Sequence, residues 1–119
     1  QSAESRRSTR IEGADLDSAV QRFIEGNEDY YDEVLRNMAE AQYSLVEALA
    51  AEPVGRLDES YRTRHRLASL STLHSAIRGL LRRGVIDVIK NTYVMADPFF
   101  ARYVRERRSV HVLNQGEVR

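Results

Sequence analysis

The sequence predicts a mainly helical fold, with N-terminal helices leading into a winged helix-turn-helix that carries a short β-hairpin wing. Three features of the stretch from Leu70 to Arg107 predict it. The first is an amphipathic helix closed by glycine. Leu70, Leu73, Ile77, Leu80 and Leu81 fall at steps of three and four residues, which gathers apolar side chains on one helical face. Gly84 follows where a left-handed cap costs glycine no Cβ clash. The second feature is a pair of β-runs. Val85, Ile86, Val88 and Ile89 are β-branched, Lys90, Asn91 and Thr92 suit a turn, and Tyr93, Val94 and Met95 resume the strand. The runs are too apolar for strict alternation, which suits a hairpin with one face packed on helices. The third is Asp97–Pro98, the cap and first-turn proline of a following helix that carries Phe99, Phe100, Tyr103 and Val104.

The remaining elements follow in chain order. Residues 1–14 are rich in serine and arginine with little apolar content, and read as a flexible lead-in. A first helix begins near Asp15, with Leu16, Ala19, Val20, Phe23 and Ile24 as a narrow apolar stripe and Gly26–Asn27 as its stop. A second carries Tyr30, Tyr31, Val34, Leu35 and Met38. Asn37 with Glu40 three residues on has the form of a capping box, so a third helix is placed from there through Leu45, Val46 and Leu49 to Glu52, ended by Pro53 and Gly55. Val54 to Leu57 is the expected first strand of the winged-helix sheet. Asp58 caps a short helix containing Tyr61 and His65, which a helix-turn-helix needs ahead of its turn at Leu67 to Leu70. From Ser109 the alternating Val110 and Val112 suggest an edge strand or a tail. The expected organisation is a lead-in over 1–14, a helical segment over 15–52, a winged helix over 53–108 and a tail or edge strand over 109–119.

Composition narrows the functional classes. With 119 residues, 42% hydrophobic and 30% charged, the chain reads as globular and of a size for one core. No run of about 18 apolar residues exists for a membrane span, no secretion leader is evident, and cytoplasm is the default location. The absence of cysteine removes disulfides and thiolate metal sites. A start at Gln1 rather than methionine fits a processed product or a piece of something longer. The net charge of zero conceals a division after Leu57: six arginines against twelve acids before it, and eleven arginines plus Lys90 against six acids after it. A basic half of this kind is the electrostatic footprint of a nucleic-acid face, or of a surface meeting an acidic partner.

The polar face of the Leu70 helix is where such contacts are expected. Ser71, Ser75, Arg78 and Arg82 follow one another at i, i+4, i+7 and i+11, flanked by Thr72, His74 and Arg83, with Lys90 and Asn91 at the wing turn. A solvated helix face and a chain-wide preference for arginine account for the same residues without any ligand. Gly79, in mid-helix, costs about 1 kcal/mol relative to alanine and hints at a close approach on that side, from a ligand or a neighbouring helix.

Several segments together resemble the C-terminal region of prokaryotic AAA+ or STAND-type ATPases of the archaeal-ATPase kind, in which a helical lid precedes a winged helix. They are MAEAQYSLVEALAAEP, LSTLHSAIRGLLRRGVI and YVMADPFFARYVRER, within Leu16 to Arg108. The resemblance implies that the nucleotide-binding core lies upstream, and it makes a winged-helix histidine, His65 or His74, a candidate sensor of the nucleotide, with an ordinary surface histidine as the other reading. The chain departs from the complete pattern by lacking a phosphate loop, which needs glycine amides around the phosphates and a lysine at the outer ones. Its one lysine, Lys90, is preceded by isoleucine.

No catalytic residue, metal ligand or cofactor site is expected. His65, His74 and His111 show no ligand spacing. The acid pairs Asp15 with Asp17, Glu28 with Asp29 and Asp32 with Glu33 sit in first turns or on solvent faces, where negative charge favours the helix dipole. The reading is a non-catalytic winged-helix domain of an ATPase, acting in DNA binding or regulatory docking. Its expected partners are double-stranded DNA, the ATPase core of the same or another chain, or a second copy. Two rivals stand beside it. One is a free-standing winged-helix transcription regulator that dimerises through its N-terminal helices. The other is a protein-interaction module using the apolar faces of Leu16 to Ile24 and Tyr30 to Met38.

Overall fold

The computed structural model describes residues 15–107, within which six helices and one antiparallel hairpin succeed one another. They are α1 (15–26), α2 (Glu28–Arg36), α3 (Glu40–Ala51), α4 (Glu59–Arg64), α5 (Leu70–Arg82), β1 (Ile86–Ile89), β2 (Thr92–Met95) and α6 (98–107). The expected lead-in over 1–14 and the tail with Val110, His111 and Val112 lie outside the described residues.

The elements are set by local chemistry. Asp58 caps α4 by accepting the Tyr61 amide at 2.9 Å, and Asp97 accepts the Phe99 amide at 2.9 Å ahead of Pro98. Gly84 has φ +74, the left-handed cap expected beyond α5. In the hairpin, Ile86 pairs with Met95 and Ile89 with Thr92, leaving Lys90 and Asn91 as the two turn residues at φ 51 and 60. Positive φ at both positions matches the strands' right-handed twist. Val54 forms a single antiparallel bridge with Tyr93, its amide donating to the Tyr93 carbonyl at 3.3 Å and its carbonyl accepting the Tyr93 amide at 2.8 Å. The order α3, bridge, α4, α5, β1, β2 is that of a winged helix.

The core lies where α3 meets α5 and β2. Leu45, Val46 and Leu49 of α3 and Leu73 and Leu80 of α5 are essentially fully buried, joined by Tyr61 and Ile86. Each such side chain contributes about 1.5–3 kcal/mol by leaving water. An aromatic group extends the same core toward the chain's ends: the Tyr31 ring of α2 lies 5.1 Å from Phe100 and 5.3 Å from Tyr103 of α6. Ile24 of α1 is buried beside them.

Several local expectations are corrected. Asn37 closes α2 as its C-cap and does not open α3. The N-cap of α3 is Ala39, whose amide donates to Gln42 Oε1 at 3.1 Å, so only the reaching-back half of a capping box is made. The expected strand Val54 to Leu57 contracts to the Val54 bridge, and Leu57 turns its side chain into the core. His65 is the C-cap of α4 rather than a residue within it. On α5, Leu70 and Leu81 remain 40% and 39% exposed while Ala76 is buried, which narrows the apolar face. The stripe of α1 is mostly outward: Ile24 is buried and Val20 half-buried, but Leu16, Ala19 and Phe23 are exposed.

Candidate nucleic-acid interface

Helix α5 divides sharply. Leu73, Ala76, Ile77 and Leu80 face α3 and the hairpin, so Ser71, Thr72, His74, Ser75, Arg78, Arg82 and Arg83 are all turned to solvent. Arg78 donates from Nη2 to Ser75 Oγ at 3.0 Å, and Ser69 Oγ to Thr72 Oγ1 at 3.1 Å, bonds local enough to exchange for a ligand's oxygens. Lys90 and Asn91 stand exposed at the wing tip. Between Leu70 and Met95 four cations, Arg78, Arg82, Arg83 and Lys90, share the chain with one carboxylate, Asp87, which accepts its neighbour Val88's amide at 2.8 Å.

Gly79 is explained from inside the fold. A Cβ there would lie 2.5 Å from Gln42 Nε2, so the close approach comes from α3 and not from a ligand.

The turn between α4 and α5 adds a residue that the sequence did not single out. Arg66 is exposed and left-handed at φ 54. It ends α4 in a Schellman arrangement: its amide donates to the Thr63 carbonyl at 3.2 Å and the Leu67 amide to the Arg62 carbonyl at 2.8 Å. Glycine is the usual occupant of that position, and with arginine in its place the sequence carries no sign of the cap. The N-cap of α5, Ser69, spends its hydroxyl on the Thr72 side chain and caps no backbone amide, so the first-turn amides keep their partial positive charge.

Ion pairs separate the charges on the two sides of the fold. Among the described residues, the pairs between the acidic first half and the basic second half are Asp17–Arg102 at 3.1 Å, Asp32–Arg107, Glu52–Arg64 at 2.7 Å and Glu52–His65 at 2.9 Å. They end on α6 and α4. Hydrogen bonds from His65 first and Arg64 second hold the Glu52 carboxyl below its ordinary range, and bonds to Asp17 and then Glu106 raise Arg102. None of Arg66, Arg78, Arg82, Arg83 and Lys90 is within ion-pair distance of a carboxylate among the described residues.

The histidines go to different places. His74 is exposed on α5. His65 is turned inward, its ring 4.5 Å from that of Tyr61, Nε2 on Glu52 and Nδ1 buried without a partner among the described residues. No group of three or more metal-ligating side chains comes together among the described residues. A cleft of about 340 Å³ between α1, α2 and α6 is lined by Glu25, Glu28 and Glu106 with Arg107, an excess of negative charge that opposes a phosphate-bearing ligand. Among the described residues no helix is long and apolar enough to cross a membrane.

A family model described as a probable winged helix domain matches residues 29–106, about two thirds of the chain. Neither the curated proteins nor the solved structures gave a match.

Proposed function

The chain belongs to the probable winged helix domain family, and from that premise we propose that it is a cytoplasmic, non-catalytic module that binds double-stranded DNA through the outer face of α5 and the wing tip. One observation carries the reading. The cations of that face have no carboxylate partner among the described residues, whereas Arg102 and Arg107 of α6 and Arg64 of α4 are paired with the acidic half. In this reading α5 lies in a major groove with Ser71, Thr72, His74, Ser75 and Arg78 toward base edges. Arg82, Arg83, Lys90, Asn91 and Arg66 then meet phosphates.

Fluorescence anisotropy of the whole chain with duplex DNA at several salt concentrations tests it. Contacts from four or five cations give a log–log salt slope of about −4, and each alanine replacement at Arg82 or Lys90 flattens it by about 0.9. Arg78→Ala changes sequence preference by about 1–3 kcal/mol where its guanidinium reads a guanine edge. Arg102→Ala, whose side chain is spent on Asp17 and Glu106, leaves the slope unchanged. Absence of binding at low salt rules the reading out.

A second reading has its own support, docking on a protein such as the core of an archaeal-type AAA+ or STAND ATPase. The wing exposes Val88 and Ile89, 45% and 54%, two apolar side chains that a phosphate backbone does not require. The helical segment ahead of the winged unit accords with that setting. Loss of partner binding on Ile89→Ser with DNA affinity unchanged identifies it.

A further inference from the structure

The least expected surface is on α1, away from α5 and the wing. Leu16, Ala19 and Phe23, at i, i+3 and i+7, form a stripe turned to solvent, with Leu16 65% and Phe23 48% exposed. Phe99 of α6 extends it: its ring lies 5.2 Å from that of Phe23 and is itself 37% exposed. A large contiguous apolar patch on an otherwise polar helix marks an interface.

The charges beside the stripe say what covers it. Asp15 and Arg22 are seven residues apart, hence within about 20° of each other around the helix and roughly 10 Å apart along it. Both lie on the solvent edge of the stripe, and neither has an ion-pair partner among the described residues. They are too far apart to pair with each other. The opposite edge is already used, since Asp17 and Gln21 both accept hydrogen bonds from Arg102 at 3.1 Å.

We propose that α1 is the seam of a homodimer in which two copies pack their α1 helices antiparallel about a two-fold axis near Ala19. That axis sets Leu16 of one copy against Phe23 of the other, brings the small Ala19 to the crossing point where the backbones approach, and places Arg22 over the other copy's Asp15 twice. An isologous interface requires this self-complementarity. A parallel two-fold pair would carry the Asp15 and Arg22 edges to opposite sides of the seam, where they make no pairs with each other, so the charges favour the antiparallel one. The seam leaves α5 and the wing free, and a two-fold pair of winged helices suits a palindromic site. The inference does not depend on DNA, because the patch and its flanking charges stand on α1 and α6.

Sedimentation equilibrium of the full chain from micromolar to submillimolar concentration is the test. The wild-type chain should sediment as a reversible dimer. Asp15→Arg alone and Arg22→Asp alone should each weaken association by about tenfold or more, since each reversal turns two attractive pairs into two repulsive ones. An equimolar mixture of those two variants should restore it, each pair re-forming between unlike chains. Phe23→Ala, its fold checked by circular dichroism, should weaken it by about a hundredfold, the ring being lost from both copies. A monomer throughout the range overturns the proposal. So does a dimer indifferent to the charge reversals.

Discussion

Gly79→Ala is a small change whose sign depends on a single neighbour. Alanine in a helix interior is favoured over glycine by about 1 kcal/mol. The new Cβ would fall 2.5 Å from Gln42 Nε2, nearer than any real contact, so the amide of Gln42 has to swing away. That amide is engaged, because its Oε1 accepts the Ala39 amide at 3.1 Å and satisfies a donor at the start of α3. Losing the bond costs about 0.5–1.5 kcal/mol. The two terms nearly cancel, and Gly79→Ala in the wild-type background should change stability by less than about 0.5 kcal/mol, a balance of propensity against a cap. In a Gln42→Ala background the bond is already gone and the space is open. There the same substitution should stabilise by about 1 kcal/mol, giving a coupling of about that size in the double-mutant cycle. Urea denaturation of the four chains, with equal slopes, measures it. Strict additivity would refute the argument, as would a full gain from Gly79→Ala alone, since either means Gln42 does not occupy the side of α5 that the glycine vacates.

Other expectations concern backbone strain and titration. Arg66→Gly should raise stability by about 1 kcal/mol and the melting temperature by about 4 °C or more, because the left-handed φ of 54 costs glycine nothing; the same variant should flatten the salt slope of DNA binding by about 0.9. The Glu52 carboxyl is lowered by His65 and Arg64, so its contribution is present above its ordinary value of 4.5 and is lost as pH falls through the lower folded value. Glu52→Gln should remove that part of the acid limb of a stability–pH curve followed by thermal melts. Burial pushes the Tyr61 phenol, which donates to the Glu52 carbonyl at 2.7 Å, far above its ordinary 10.0. Stability should therefore fall as pH rises past 10.0 toward the folded value, and Tyr61→Phe should blunt that alkaline loss.

The winged half was legible because its signals are local. Apolar spacing of three and four marks α5, glycine ends it, β-branched runs flank Lys90–Asn91, and Asp97–Pro98 opens α6, each within a few residues of its effect. The charge division was equally visible, but its meaning was not. Which arginines are neutralised depends on Asp17 reaching Arg102 and Asp32 reaching Arg107, contacts across most of the chain that no spacing rule anticipates. Long-range packing also defeated the reading of α1. Its stripe has helical periodicity, yet α6 and α2 can cover only the Ile24 and Val20 side of it. The first strand failed for want of length: Pro53 and Gly55 flank Val54, leaving room for one bridge to Tyr93 and no ladder. The α3 cap was misplaced because Gln42 reaches back to an alanine, a position with no side-chain signature.

In the proposed function the outer face of α5 and the wing tip carry the DNA contact. Amide chemical-shift mapping of the isotopically labelled full chain, titrated with duplex DNA at low salt, tests this most directly. The account predicts that perturbations concentrate at Arg66, Ser71 to Arg83 and Lys90–Asn91, that they fade as salt rises, and that α6, where Arg102 and Arg107 are held by Asp17 and Asp32, stays still. Perturbations centred on α1 and α6 with α5 unmoved, or none at all, would contradict it.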